Sequence, residues 1–249
     1  MPAQPGVIGG TVAPARVALE RRSRDHLFFT SMAAALAVVT FVGFAPSYFL
    51  RFYYGGEGLS RLVHVHGMAS TAWILLFLVQ TSLVAARRVH LHRRLGVLGV
   101  LLLAVLLPLG LVTAIEAARH GVTPPGGPPP LAFLAVPIGT ILSFTALAAA
   151  GVWYRRRPET HKRLMLLATI ALVIPALARM RWLGGGGPPV AIAASLTFLA
   201  VCLGYDRLAN GRVHPAFAWG GLFLVLSIAA RFGAARSAAW LPIAEWLVR

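Results

Sequence analysis

Acidic residues are scarce in this chain: seven Asp and Glu in 249 residues, against 23 Lys and Arg of which Lys162 is the sole lysine. That scarcity excludes a paired-carboxylate catalytic site, a His-Glu-x-x-His metalloprotease helix and the buried carboxylates a proton-coupled transporter would use. No Ser-His-Asp set can be defended either. Cysteine is nearly absent as well. Cys202 stands alone in an apolar run, so there is no intrachain disulfide, no Cys-rich zinc site and no Cys-x-x-Cys-His attachment of c-type haem. Any metal or haem would have to rely on the eight histidines.

Apolar residues are plentiful: 58% of the chain is hydrophobic and only 12% charged, with mean hydropathy +0.75. A bilayer-spanning helix takes about 20 apolar residues. Runs of that kind fall at about 27–50, 62–86, 94–117, 131–154, 161–181, 189–205 and 214–233. The expected fold is therefore an all-α transmembrane helical bundle of seven spans over residues 27–236. Residues 1–26 read as a disordered cytoplasmic tail, and the 24-residue first run is too long for a cleaved signal. Residues 237–249 are too short to span, but Trp240, Ile243 and Leu247 recur at helical spacing, which suits an interfacial amphipathic helix. Pro-Gly stretches at Pro124 to Pro130 and Gly184 to Pro189 punctuate the runs. Neither is a phosphate cradle, since no Gly-Lys-Ser/Thr follows.

A formal charge of +16 raises nucleic acid as a partner. The basic residues, however, sit in short clusters between apolar runs and not on one face, so topology explains them and no nucleic-acid role is read. With the N-terminus inside, the tail and the inner loops collect 15 of the 23, including Arg87, Arg88, Arg93, Arg94, Arg155, Arg156, Arg157, Lys162 and Arg163. The expected location is the bacterial inner membrane, N-terminus cytoplasmic and C-terminus outside, with anionic lipids of the cytoplasmic leaflet as partners. Asp206, at the inner end of the sixth span, is expected to pair with Arg207 or an arginine on a neighbouring turn.

The inner turns repeat. Arg87-Arg88-Val89-His90-Leu91-His92-Arg93-Arg94-Leu95-Gly96 matches Arg156-Arg157-Pro158-Glu159-Thr160-His161-Lys162-Arg163-Leu164-Met165, with Arg212-Val213-His214-Pro215 as a looser third copy. The architecture is thus one anchor helix plus three hairpins. The repeat brings His92, His161 and His214 to one depth, where three imidazoles could bind a metal. The competing account is that they cap helix starts, with Pro215 at a first helical position.

Polar residues inside spans are functional candidates by default. At 100° per residue His66, Ser70, Trp73, Phe77 and Gln80 share one stripe, with His64 pointing away. His66 is the candidate haem or metal ligand there, Trp73 and Gln80 lining the same face. A plain helix-packing role is the alternative. Gly96 and Gly99 leave room on the third span for a porphyrin or another helix. On the outer side Arg179, Arg181, Arg231, Arg119, His120 and Glu116 form a polar set with His64 and His66. Arg179 and Arg231 are the candidates for carboxylate or phosphate, including haem propionates, while Arg119 and Glu116, three apart, can pair with each other.

The runs His64-Val65-His66-Gly67, Leu76-Phe77-Leu78-Val79-Gln80-Thr81, His92-Arg93-Arg94-Leu95-Gly96, His161-Lys162-Arg163-Leu164-Met165 and Trp219-Gly220-Gly221 resemble those of a group of uncharacterised bacterial integral membrane proteins, over roughly residues 27–248. The hairpin motif is also remotely similar to b-type cytochromes and haem A synthases. The close resemblance implies a fold and no reaction; the remote one implies haem b as a cofactor. Three functions stay open: a histidine-based haem or metal-binding, electron-transfer or cofactor-handling subunit; a structural or assembly protein without a cofactor; and a permease for a small or lipidic anion.

Overall fold

The computed structural model describes residues 12–56, 58–123, 127–180 and 187–249, with side chains described from Leu19 onward. Its helices are α1 (Val12–Phe44), α2 (Arg61–Ala85), α3 (Val89–Arg119), α4 (Pro130–Phe133), α5 (Ala135–Trp153), α6 (Pro158–Arg179), α7 (Pro188–Asn210), α8 (Pro215–Ala234) and α9 (Leu241–Leu247). Seven of the helical segments are long and apolar enough to cross a membrane. Among the described residues there is no strand. Large apolar side chains stand exposed on the spans, among them Leu75 (53%), Leu101 (59%) and Leu226 (58%). Water would not tolerate so broad an apolar surface, whereas lipid would.

Local chemistry sets the helix ends. Ser60 caps α2 by accepting from the Val63 amide, and prolines open α6, α7 and α8, where their fixed φ suits the first turn. The α2–α3 turn puts Arg87 at φ 60°, and the α7–α8 turn places Gly211 at φ 70°. A left-handed residue costs arginine more than glycine.

α6 is the central element. Its run from Leu164 to Leu177 is almost wholly buried, and it packs on α1, α5, α7 and α8, while α2 lies on α1 and α3, and α3 on α5. Close approach is built from small residues: a Cβ at Gly43 would collide with the backbone of Ala176, and one at Gly220 would lie 2.6 Å from Leu167 Cδ1. At the arginine-rich end α1 meets α7 through Phe28 stacked on Tyr205, ring centroids 3.7 Å apart. Further along, Val38, Val39 and Val42 of α1 stand apart from Ala194, Thr197 and Phe198 of α7, leaving an open apolar groove floored by Leu177 and Met180.

Two expectations need correction, and a third resolves between its alternatives. The region read as a disordered tail is helical from Val12, because α1 runs back through the charged residues before the apolar run. The C-terminal stripe docks on protein and not only on an interface: Ala244 is fully buried and Trp240 Nε1 donates to the Leu131 carbonyl at 2.8 Å, while Ile243 stays exposed. Asp206 pairs with Arg163, the neighbouring-turn alternative, and not with Arg207. Pro124 to Gly126, Arg181 and Gly184 to Gly186 lie outside the described residues, as does the side chain of Arg16.

The tight α1–α6 crossing predicts that Gly43→Ala lowers the thermal unfolding midpoint of the detergent-solubilised protein. Gly204→Ala, where nothing lies within 4 Å of the added carbon, should leave it unchanged or raise it, since alanine favours helix by up to about 1 kcal/mol.

Candidate functional site

The arginine-rich end holds a polar network that joins three spans. Arg163 and Asp206, 1% and 0% exposed, face each other across α6 and α7. Arg163 Nε donates to Asp206 Oδ2 at 2.9 Å and Nη2 to Oδ1, while Nη1 reaches Glu159 Oε2 at 2.6 Å. Asp206 also accepts from Asn210 Nδ2 (3.1 Å) and from the His214 amide (3.0 Å). Beside it Lys162 Nζ lies 2.7 Å from Asp25 Oδ2, and the Tyr205 hydroxyl donates to Asp25. Every carboxylate here accepts from a cation or hydroxyl of the chain, as burial demands. Asp25, assigned to a tail by its position, therefore belongs to the bundle. The signal for it was the acid shortage itself, because a chain with seven acids has few partners to offer its buried cations, and three of them meet in this network.

The three repeat histidines part company. His92 and His161 each lie three residues after their helix starts at Val89 and Pro158, whereas His214 precedes Pro215 as the α8 cap. Equal register brings the first two together, their rings 6.2 Å apart between centroids and nearly perpendicular. His161 Nδ1 lies 2.7 Å from the Gly151 carbonyl; a carbonyl only accepts, so Nδ1 carries the proton and Nε2 keeps its lone pair. The Nδ1 of His92 is buried without a partner, and Gln80 Nε2 donates to the His92 carbonyl at 3.1 Å. One turn on from His161, Met165 presses its sulfur against Gly151, 2.7 Å from where a Cβ would stand. His214 instead accepts from the Ala216 amide through Nδ1 at 3.1 Å. The expected three-imidazole site is thus a pair plus a cap. Among the described residues no group of three or more His, Cys, Asp or Glu side chains could hold a metal ion.

On α2 the stripe faces inward as the spacing implies. Trp73 and Phe77 are buried, Trp73 edge-on to Phe144 with centroids 4.8 Å apart. His66 has a buried, unpartnered Nδ1, while His64 is exposed beside Tyr48. His66 and Gln80 are fourteen residues apart, about 21 Å along the helix, so they cannot share a small ligand. The Gly96 and Gly99 face of α3 is taken by α2: Gln80 Nε2 and Leu76 Cδ2 lie 3.8 and 3.5 Å from the glycine Cβ positions. A porphyrin does not fit there.

At the far end the polar set is dispersed. Glu116 holds Arg119 at 2.5 Å, as their spacing suggested, and Arg119 Nε donates to the Val248 carbonyl. Arg179 lies over the Phe44 ring at 4.7 Å with Nη1 on the Pro175 carbonyl. Arg231 is different, 3% exposed and inside the bundle between α8 and α5.

No protein family's sequence profile, no curated protein and no solved structure matches the chain.

The cap makes a pH prediction. Burial first, then the positive field of Arg163, holds the His214 pKa below its ordinary value. Protonating Nδ1 would abolish the bond to the Ala216 amide, so the cap's contribution is complete above about pH 6.5, the unfolded value, and is lost as pH falls through the lower folded value. His214→Ala should cost about 1 kcal/mol above that range and abolish this part of the pH dependence, and His214→Asn should restore the stability without the pH dependence. Thermal melts between pH 5 and 8 measure both.

Proposed function

We propose that the chain is a multi-pass protein of the bacterial inner membrane that binds one transition-metal ion between His92 and His161, as an electron-transfer or cofactor-handling subunit. The observation that carries this reading is the ring separation. Two imidazole nitrogens, each ~2.0–2.1 Å from a shared ion, put their ring centroids roughly 6 Å apart, and the observed value is 6.2 Å. The Gly151 carbonyl supports the reading too, since metal-binding imidazoles commonly donate their second N–H to such an acceptor. A zinc site would want four ligands, which suits this place poorly. Copper(I) accepts two or three and favours a soft thioether, and Met165, one turn on from His161 and packed on the same Gly151, carries one. The haem variant has no support from the α3 face, and no step is assigned to it.

The exposed arginines Arg87, Arg88, Arg93, Arg94, Arg155, Arg156 and Arg157 suit anionic headgroups of the cytoplasmic leaflet. In that orientation the metal pair lies at the cytoplasmic end and the C-terminus outside. A reporter fused after Arg249 should be active only on the periplasmic side; cytoplasmic activity would reverse the assignment.

The metal reading is tested by loading the detergent-solubilised protein with Cu(I) under reductant and titrating against a chromogenic chelator. One copper per chain is expected, held more weakly after His92→Ala or His161→Ala by more than the about 10–100-fold that losing an outer-shell partner costs, and unchanged in His66→Ala and His214→Ala. No stoichiometric copper, zinc or iron, or equal loss in all four variants, would refute it. A Soret band in the protein from a haem-replete host would replace the single ion with haem.

A further inference from the structure

Arg163 and Arg231 are the two buried arginines among the described residues, and their surroundings differ in one respect. In Arg163 the Nε–Nη2 edge grips the two oxygens of Asp206, and Nη1 is held separately by Glu159. In Arg231 Nη1 is again held separately, donating to Thr140 Oγ1 at 2.8 Å. Its Nε and Nη2, the same edge, are buried and meet no acceptor of the described residues. A guanidinium offers two parallel N–H bonds along that edge, which match the oxygen spacing of a carboxylate or phosphate. A water could take either hydrogen but could not offset the charge, and an uncompensated ion in such surroundings is costly.

The surroundings hold that edge in place. Gly139 lets the arginine stem lie flat on α5, since a Cβ there would stand 2.8 Å from Arg231 Cβ. Thr140 accepts from Arg231 while donating its own hydroxyl hydrogen to the Val136 carbonyl, so it is locked as an acceptor. One turn along α5, Phe144 carries the Trp73 indole, whose Nε1–H is a further buried donor without an acceptor. Arg231 is three residues, about 4.5 Å, from the end of α8, which puts its guanidinium near the end opposite the arginine-rich turns.

We propose that Arg231, oriented by Thr140 and Gly139, is a binding site for an oxyanion, a carboxylate or phosphate that takes the place Asp206 occupies on Arg163. The anion comes from a lipid, as a fatty acid or phospholipid head, or from solution; the chemistry of recognition is the same. The site is independent of the His92–His161 pair and stands whether or not that pair binds metal.

Thermal unfolding of the delipidated full chain in a nonionic detergent, at constant ionic strength made up with chloride, tests this. Acetate and inorganic phosphate form the soluble arm; oleate and phosphatidylglycerol form the lipid arm. In at least one arm the midpoint should rise by roughly 5–10 °C at saturation, and native mass spectrometry should retain one ligand per chain. The arm that responds names the source. Arg231→Lys keeps a charge but loses the fork, and should bind at least about tenfold more weakly; Arg231→Met should lose the shift, and Thr140→Val should reduce it. If Arg231→Met does not fold, the Lys variant carries the comparison. No shift beyond chloride in either arm for the wild type, or an undiminished shift in Arg231→Lys, overturns the proposal.

Discussion

The bidentate pairing of Arg163 with Asp206 is the constraint on which the rest of the bundle depends. It joins the central helix α6 to α7, and the same carboxylate accepts from the first residue leading into α8. A buried ion pair is not stabilising merely because it exists, since both charges leave water. Here the geometry is close to complete: Asp206 accepts from four N–H donors, one of them shared between its two oxygens, and Arg163 has a second carboxylate at Glu159. Removing Arg163 would leave the buried Asp206 without its cation, at a cost of about 3–5 kcal/mol, and removing Asp206 would leave the buried Arg163 with Glu159 alone. The pair also fixes where α8 starts, and so makes His214 a cap instead of a member of the histidine pair.

Within-helix patterns were readable in the sequence, and contacts between helices mostly were not. The seven spans, the inward stripe of α2, the outward His64 and the Glu116–Arg119 pair all follow from periodicity along one helix, and each is found. Arg163 reads as one more orienting charge in an inner loop because nothing in its own helix reveals that Asp206 lies opposite. Asp25 reads as tail for the same reason, until α1 is seen to run back past it toward Lys162 and Tyr205. The third repeat copy fails as a histidine site by register: His214 precedes its helix, while His92 and His161 sit one turn inside theirs. A shift of four residues on a helix is more than a full turn, which is enough to separate the imidazole from the other two.

The two ends of the molecule treat charge in opposite ways. At the arginine-rich end three of the seven acids neutralise buried or half-buried cations. At the other end Glu116 serves Arg119, and Arg231 is left with a threonine. Among the described residues the scarce carboxylates complete one buried arginine and not the second. The proposed sites rest on what remains, a facing pair of imidazoles and a guanidinium edge. The abundant small residues serve a different end, bringing helices together, as at Gly43, Gly96 and Gly220.

The dependence of the bundle on Arg163–Asp206 is most directly measured by a double-mutant cycle, with Arg163→Met, Asp206→Leu and the double variant unfolded under one set of detergent conditions. The account predicts that each single variant is strongly destabilised while the double variant recovers most of the loss, giving a coupling energy well above the roughly 1 kcal/mol of a surface pair. Additive losses, or single variants as stable as the parent, would contradict it.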